Sequence, residues 1–489
     1  MKTFTITILA FLLFPFFLYS QKEIKTKKLL KDFDALIECI EAHPDPYRYL
    51  TEEEFNRMTD SIRGLITAPM NVISYYKICA PIIHTIKDGH TSLRLPTKYM
   101  KNHMKKYGAF PYHIHLTDDE EMYVIKNYGD DMTIPLGARI DSINGISIHE
   151  FVSGIDKYTF YERKPFRNTT IETDLDRLLH LYFNSFTELE IKYFTDQNRV
   201  HTVKNIKYKL YKKEVKNQNV NIYSLIRKGN QYEYKKLTKG VGLLKIHSFV
   251  IPKEREFRRF LSNKFYSIKN DSITSLIIDV RGNLGGYPRA SAEIFHYLTD
   301  RPFKTMDLSQ MKVSETYREK FRKDIPHANL SAMQFRTRKY SINLNSLFEY
   351  EVGTFVTDAG NKIEMPITKD NEFKGDMYLL TDRTSFSAAS SFAATFKCYG
   401  LGTIVGEPTG GTKVFFGNAI SIKMKYSKLS LRVGTNKNYT TCFSEDENEA
   451  IIPDFPASAS VLDRINDSDL MLYFTLRLIK KIKKARISK

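Results

Sequence analysis

One serine in the second half of the chain has a setting in which it could act as a nucleophile. The segment Thr381–Phe396 (TDRTSFSAASSFAATF) follows an apolar run, Asp376–Asp382, that is typical of a buried strand. Thr384 and Ser385 supply capping groups, so a helix is expected to begin near Ser387. At that point helix N–H groups favour negative charge. The pattern predicts a nucleophile elbow without the usual Gly-x-Ser-x-Gly sequence, although a buried Ser- and Ala-rich helix would look similar.

Two glycine-rich segments lie on either side of this serine in the sequence. Asp279–Gly286 (DVRGNLGG) follows the apolar run Ile273–Val280 and forms a turn with three glycines. Glycine lets backbone N–H groups approach a substrate closely, so Gly285 and Gly286 are candidates to hold an oxyanion. A phosphate loop would look similar, but neither dinucleotide nor P-loop spacing fits. The second segment, Gly406–Thr412 (GEPTGGT), is by itself only a turn.

In this order the three segments resemble the motifs of the C-terminal processing, or tail-specific, protease family. That family carries Asp-Leu-Arg-x-Asn-x-Gly-Gly, then Ser-Ala-Ser-Glu, then Gly-Glu-x-Thr-x-Gly. The resemblance implies a serine peptidase in which Ser387 is the nucleophile, with Ala388 and either Gly285 or Gly286 as oxyanion donors. The chain departs from the family at Ser390, which replaces the usual Glu.

The general base also differs from the family's commonest pattern. Many members end the third motif with the Lys of a Ser–Lys dyad, but this chain has Thr412 there and Lys413 one residue later. A one-residue shift on an extended segment points a side chain to the other face. Tricorn-core-like and retinoid-binding-protein-like branches carry a His instead, and Lys87–Leu93 (KDGHTSL) resembles their Asp-Gly-His-Thr element. This implies His90 as the base, with a Ser387–Lys413 dyad as the alternative.

A third group should orient the histidine. The tricorn-core-like branch has a Glu shortly before a Pro-Asp near the C-terminus, and Glu447–Phe455 (ENEAIIPDF) resembles that element. The resemblance therefore implies Glu447, with Glu445 and Glu449 in reserve, although this acidic cluster is otherwise typical of a solvated loop. The expected Ser/His/Glu site needs neither metal nor cofactor.

Length and composition suggest a globular protein of two or three domains, since 42% of the 489 residues are hydrophobic and 27% are charged. The resemblance implies an α/β catalytic core, ClpP/crotonase-like, with an N-terminal helical region and an inserted PDZ-like β domain. The expected boundaries are a signal peptide at 1–20, a helical region at 21–100, the PDZ-like domain at 101–215 and the peptidase core at 216–489.

The N-terminal regions carry local signals of their own. A basic start, the apolar run Ile6–Leu18 and the small residue Ser20 predict a signal peptide and export to the periplasm or outside, with an uncleaved anchor as the alternative. Helices are expected over Lys27–Ala42, from a Thr51–Glu54 capping box to about Ile66, and over Asn71–Ile86, followed by a strand.

The next region, Tyr107 to Leu210, reads mainly as strand. Within Ile134–Ile148, alternating apolar residues flank Asn144-Gly145, which is a strong hairpin signal. The stretch resembles a PDZ pattern, and Tyr107–Leu116 stands where the first PDZ strand would be. PDZ-type domains bind peptide C-termini by strand addition. Another small β domain is the alternative.

Charge and cysteines complete the picture. The net charge is +18, and Arg477–Lys489 carries seven positive charges in an amphipathic pattern. That segment suits either weak contact with an anionic membrane or a solvated helix end, and no motif indicates nucleic-acid binding. Cys39 and Cys79 either pair or, as we favour, stay buried and free; no metal-ligand spacing links the cysteines.

The resulting hypothesis is an exported serine endopeptidase that cleaves peptides or proteins near their C-termini through a Ser387 acyl-enzyme. A catalytically weak carrier or peptide-binding protein on the same fold is the alternative. The segment Arg301–Gly375 contains no motif, and nothing in the sequence predicts the oligomeric state.

Overall fold

The computed structural model describes residues 23–217, 231–324, 346–358, 363–366 and 372–487. The expected signal peptide therefore lies outside the described residues. The helices are α1 (Thr26–Ile40), α2 (Glu52–Gly64), α3 (Val72–His84), α4 (Thr97–Tyr107), α5 (Ile148–Asp156), α6 (Lys164–Tyr182), α7 (Tyr208–Asn217), α8 (Glu254–Asn270), α9 (Pro288–Phe295), α10 (Glu315–Asp324), α11 (Ser346–Glu349), α12 (Ala388–Cys398), α13 (Val461–Ile465) and α14 (Leu470–Ile487).

The strands form four sheets. They are β1 (Ser92–Arg94), β2 (Tyr112–Leu116), β3 (Met122–Asn127), β4 (Arg139–Ile143), β5 (Ile146–Ser147), β6 (Glu188–Phe194), β7 (Asn198–Lys204), β8 (Tyr232–Thr238), β9 (Val241–Ile246), β10 (Ser275–Asp279), β11 (Leu308–Lys312), β12 (Phe355–Asp358), β13 (Asp376–Thr381), β14 (Thr403–Gly406), β15 (Val414–Gly417), β16 (Ile420–Lys423), β17 (Ser430–Val433), β18 (Asn436–Tyr439) and β19 (Phe455–Pro456).

The central sheet has the order β19-β14-β13-β10-β9-β8 and is parallel except for β8. All five residues of β10 are buried, which explains the continuous apolar run in the sequence, because helices or loops cover both faces of a parallel sheet. The expected α/β core is confirmed as a mixed α/β fold. Turns at the carboxyl ends of β10 and β13 lie side by side at the same edge.

The N-terminal helices follow their sequence signals closely. The predicted capping box is present at the start of α2, where Glu54 N–H donates to the Thr51 hydroxyl and the Glu54 carboxylate accepts from Thr51 N–H. The chain then enters β1, which pairs antiparallel with β17 of a small sheet, β1-β17-β16. This pairing fixes the α3–β1 loop, and with it His90, against the core.

Strands β2 to β7 form a separate antiparallel sheet, the β2–β7 unit. The Asn144-Gly145 hairpin joins β4 to β5, and both residues have the positive φ, 49° and 77°, that this turn requires. The expectation of a mainly strand region was wrong in one respect. The unit contains α5 and the 19-residue α6, because Leu175, Leu178 and Leu179 at helical spacing pack against the sheet.

The basic C-terminal segment forms the end of α14, as predicted. Ile479 is buried and its apolar neighbours Leu478 and Ile482 are partly buried against β9, β10 and β13. Lys480 and Lys481 are exposed. The apolar side of the helix therefore packs on the central sheet. None of the described helices combines the length and the apolar composition needed to span a bilayer.

The four cysteines comprise two free thiols and one disulfide. Cys39 and Cys79 are buried and free, which confirms the favoured interpretation. Cys398 and Cys442 form a disulfide that the sequence analysis did not predict. It connects the end of α12 with the loop after β18, two segments that are neighbours only in the fold.

Candidate active site

Ser387 stands at the turn between β13 and α12, where it is the N-cap residue of the helix. Its backbone has φ 55° and ψ −122°, a conformation that a residue with a side chain rarely adopts. Such strain, of the order of 1–3 kcal/mol, persists when the surroundings hold it. Here Ser385 does so, because its N–H donates to Asp382 O and its hydroxyl to Val280 O. The predicted nucleophile elbow is the geometry observed.

His90 reaches this serine from the other end of the sequence. Its Nε2 lies 2.9 Å from Ser387 Oγ. The imidazole stacks on the Phe386 ring at 4.7 Å between centroids and faces Phe415 at 5.8 Å. A Cβ at Gly89 would come within 2.7 Å of Phe386, so glycine is needed to let the loop approach this closely. The structure brings together the two residues that carry the sequence hypothesis.

The glycine-rich turn after β10 lies directly against Ser387. A Cβ on Gly285 would be 2.7 Å from Ser387 Cβ and 2.8 Å from Ala388 N. The Gly285 N–H, however, donates to Asn283 Oδ1 at 2.8 Å. Gly286 and Phe249 form an isolated parallel bridge, in which the Phe249 N–H donates to the Gly285 carbonyl and the Tyr287 N–H donates to the Phe249 carbonyl. The Gly286 N–H takes no part in this bridge.

The Ala388 N–H is also available, because the first N–H groups of a helix have no intrahelical acceptor. Of the two glycines considered for an oxyanion hole, Gly285 is thus already engaged, and Gly286 and Ala388 are the better candidates.

Two carboxylates flank the other ring nitrogen of the histidine. His90 Nδ1 lies 3.5 Å from Asp88 Oδ1 and 3.5 Å from Glu162 Oε1. All three side chains are almost wholly buried. Asp88 belongs to the same loop as His90, and Glu162 lies in the bend immediately before α6. At these distances Nδ1 forms no hydrogen bond within the described structure, and the two carboxylates are the acids that lie beside it to orient the imidazole.

The expectation for Glu447 is corrected by the structure. Its carboxylate pairs with Lys437 Nζ at 2.8 Å and with Arg48 at 3.3 Å. Glu449 pairs with Lys413 Nζ at 2.7 Å, and Glu445 is exposed. The acidic cluster is a partly solvated loop held by basic side chains, so none of its three glutamates reaches His90. The same pairing directs Lys413 to Glu449 and leaves the alternative dyad without support.

The two carboxyl groups beside His90 differ in their hydrogen-bond donors. Burial alone would raise the pKa of Asp88, but hydrogen bonds and charge from His43 and His90 outweigh it and the pKa lies well below its usual range. Burial raises the pKa of Glu162 above its usual range despite the nearby His90. Two like charges in so small a space are unfavourable. The two pKa values are therefore shifted in opposite directions, and Asp88 is the more readily ionised of the two acids.

Thr412 holds the second carboxylate oxygen of Glu162, the one that does not face His90. Glu162 Oε2 lies 3.3 Å from Thr412 N and 3.2 Å from Thr412 Oγ1. The Thr412 hydroxyl has one proton, and the Val414 carbonyl is its closer acceptor at 2.5 Å. In both contacts Glu162 Oε2 is the acceptor, and the hydroxyl proton is shared between this oxygen and the Val414 carbonyl. Thr412, the residue found in place of the dyad lysine, thus fixes Glu162 rather than acting on the serine.

The net effect on His90 is a more basic imidazole. Burial lowers the pKa of His90, but its interactions with Asp88 and Glu162 outweigh burial, so the pKa lies above its ordinary value. One ligand atom from each of His90, Asp88 and Glu162 lies within 4.8 Å of the others, a spacing that could hold a metal ion. Within the described residues, these are the same three side chains that meet at His90 Nδ1.

A cavity of about 1140 Å³ lies between the β2–β7 unit and the core, and neither Ser387 nor His90 is among its lining residues. Its wall includes Arg383 and Thr384, just before the nucleophile. The Arg383 guanidinium donates to Leu116 O at 2.9 Å and to Glu172 at 2.6 Å, which are on β2 and α6. A single residue of the elbow thus connects the catalytic turn to the unit expected to bind peptides.

The elbow and the Ser387–His90 contact define a serine-type peptidase. A model described as peptidase family S41 matches residues 240–457 of the chain. Two solved structures of similar fold are mature CPAF, at a TM-score of 0.62 and 14% identity over 91% of this chain and 95% of that one, and mature CPAF complexed with lactacystin, at 0.64 and 14% over 94% and 98%. No curated protein sequence matches the chain.

Two members of the site were missed by sequence reasoning. Asp88 stands inside the motif that identified His90, and its spacing, two residues before the histidine, could have drawn attention to it. Glu162 lies 72 positions from His90 in a segment without a motif, so only the packing of α6 against the core reveals it.

Proposed function

We propose that the chain hydrolyses peptide bonds through an acyl-enzyme on Ser387, with His90 as general base. The observation that carries this proposal is the 2.9 Å separation of His90 Nε2 and Ser387 Oγ at a strained elbow. Nε2 takes the hydroxyl proton while Oγ attacks the peptide carbonyl carbon. Collapse of the tetrahedral intermediate breaks the C–N bond, and His90 returns the proton to the leaving amine. Water then repeats the sequence and releases the acid.

The oxyanion is assigned to the N–H groups of Gly286 and Ala388. Ala388 follows Ser387 at the positive end of α12, and Gly286 follows Gly285, which packs against Ser387. Fixed donors of this kind stabilise negative charge as it develops in the transition state. Asp88 stabilises the imidazolium formed on His90, since its charge faces Nδ1.

The substrate class follows from the β2–β7 unit and the cavity beside it. The unit is an antiparallel sheet with β2 at one edge, and PDZ-type domains bind peptides by adding a strand to a sheet edge. Within the proposal this unit is PDZ-like, binds substrate C-termini and delivers the adjacent chain to Ser387. The chain acts after export, in the periplasm or outside the cell, and the basic end of α14 adds weak attraction to anionic surfaces.

A fluorophosphonate probe tests the chemistry without knowledge of the physiological substrate. We expect one probe adduct by intact mass, mapped to Ser387, and no adduct on Ser387→Ala. Labelling that persists on the variant contradicts the nucleophile assignment. An unlabelled wild type that binds peptides with an intact fold supports the carrier hypothesis instead.

Chain-end recognition has its own test. One peptide is compared as the free carboxylate and as the C-terminal amide, over a range of salt concentrations, because salt screens any general attraction between the basic protein and a carboxylate. Faster cleavage of the free acid at all salt concentrations supports recognition of chain ends. Equal cleavage of the two contradicts it and leaves the Ser387 chemistry intact.

Export is tested by N-terminal sequencing of the secreted protein, whose sequence is expected to begin after Ser20.

A further inference from the structure

A second histidine lies behind the orienting carboxylate. His43 follows α1 and is fully buried, with its ring centroid 4.2 Å from that of Phe416. Its Nε2 lies 3.3 Å from Asp88 Oδ2. The reaction steps described above make no use of this residue. Nevertheless, only the side chains of Asp88 and His90 separate it from Ser387.

The protonation form of His43 follows from its other contact. The Asp45 backbone N–H donates to His43 Nδ1 at 3.1 Å. A nitrogen that accepts a hydrogen bond carries no proton, so the single proton of the neutral ring is on Nε2. Nε2–H therefore donates to Asp88. The cationic form would require a proton on Nδ1 and would break the contact with Asp45.

The two oxygens of Asp88 are consequently given separate tasks. Oδ1 accepts the His90 backbone N–H at 2.8 Å and faces His90 Nδ1 at 3.5 Å. Oδ2 accepts from His43 and lies close to Gly434, where a Cβ would be 3.3 Å away. With both oxygens held, the carboxylate cannot rotate about its C–C bond without losing a donor.

We propose that His43 is a positioning residue of the peptidase: as a neutral donor it fixes the Asp88 carboxylate that orients His90. The inference rests on the proposed Ser387–His90 chemistry and extends it by one residue. A neutral donor leaves the negative charge of Asp88 available to His90, whereas a cation in this position would neutralise it. The titratable groups that face Asp88 are His43, His90 and Glu162.

Two opposite consequences follow from removing this donor. Orientation of His90 becomes poorer, so kcat falls, while KM stays unchanged because His43 lies behind the site. At the same time the Asp88 charge is less stabilised by hydrogen bonding and attracts the His90 proton more strongly. The acid limb of the kcat/KM profile then moves to higher pH. Loss of a donor to a charged group predicts a fall in kcat of about 10- to 100-fold.

Two amide substitutions separate the two contacts of the ring. In His43→Gln the amide N–H₂ reaches the place of Nε2 and keeps a donor to Asp88. In His43→Asn the shorter amide occupies the place of Nδ1, where it can accept from Asp45 but cannot reach Asp88. His180→Asn is the matched control, since His180 is equally buried and, within the described structure, both of its ring nitrogens lack hydrogen-bond partners.

The measurements are kcat, KM, the pH profile and thermal stability on full-length protein. We expect His43→Asn to lose about 10- to 100-fold in kcat with an upward-shifted acid limb, and His43→Gln to recover most of the rate. The control should change stability only. Equal impairment of both His43 variants, or a profile for His43→Asn that superimposes on wild type, overturns the inference. If the wild type itself shows neither fluorophosphonate labelling nor hydrolysis, the proposed function fails instead.

Discussion

The two acids at His90 Nδ1 provide the sharpest test of the site, because they are equidistant and yet expected to act differently. Each lies 3.5 Å from the ring nitrogen. Asp88 accepts from His43 and the His90 backbone N–H, and its pKa is lowered. Glu162 has a raised pKa because of its burial. We therefore expect Asp88→Asn to disable the enzyme and Glu162→Gln to have little effect.

The expected sizes follow from the charge that each substitution removes. Asn in place of Asp88 removes the anion, offers an N–H₂ donor and favours the wrong imidazole tautomer. The corresponding change in Ser-His-Asp triads lowers kcat by about 10⁴. Gln in place of Glu162 resembles the protonated acid in shape and charge. The kcat of Glu162→Gln should therefore fall by less than about 10-fold, which corresponds to roughly one neutral hydrogen bond.

Steady-state cleavage and the rate of fluorophosphonate labelling, both measured from pH 5 to 9, give the comparison. In wild type the pKa of His90 lies above its ordinary value, so the acid limb should appear above pH 6.5. In Asp88→Asn that limb moves to lower pH, because an anion that favours the imidazolium is gone. The division of roles is refuted if Glu162→Gln loses as much rate as Asp88→Asn, or if its acid limb moves as far.

Three further substitutions test other parts of the structure. The free energy of unfolding of Ser387→Gly should exceed that of Ser387→Ala by about 1 kcal/mol in a denaturant titration, because φ 55° strains a residue with a Cβ. A less stable Gly variant contradicts this. Glu447→Gln should keep its kcat within about 3-fold, because Glu447 forms surface pairs with Lys437 and Arg48; a triad-sized loss would restore the sequence expectation. Asp176→Asn should match wild-type stability at pH 4 and exceed it above pH 7, by about 1–3 kcal/mol. Burial raises the pKa of Asp176 from 3.8 to about 7, so the folding stability of the wild type falls as pH rises through that window. If the difference in denaturation midpoint between variant and wild type is the same at both pH values, the prediction is contradicted.

The sequence predicted those parts of the fold that local chemistry determines. The capping box of Thr51, the Asn144-Gly145 turn and the apolar run of β10 are each specified within a few residues, and the structure has all three. Ser387 and His90 were found because each lies in a short motif whose residues are needed for the local turn.

The remaining features depend on packing between distant segments. Glu447 was chosen because its position relative to a Pro-Asp resembles a family pattern, but a loop can direct the same residue to Lys437 and Arg48 instead. Glu162 carries no local signal, since its neighbours in the sequence serve to begin α6. The disulfide of Cys398 joins segments 44 residues apart in the chain. Sequence spacing alone contains no information about such contacts.

The departure at Thr412 agrees with the proposed Ser387–His90 mechanism, which needs no lysine at that position. A lysine there would place a cation where Thr412 now contacts Glu162, next to the imidazole of His90. That cation would lower the pKa of His90 by like-charge repulsion. A neutral threonine avoids this and fixes the second acid. In the proposed mechanism the base His90, the anion Asp88 and the donor His43 all come from the N-terminal region. That helical region would then be part of the catalytic apparatus and not only an attachment to the α/β core.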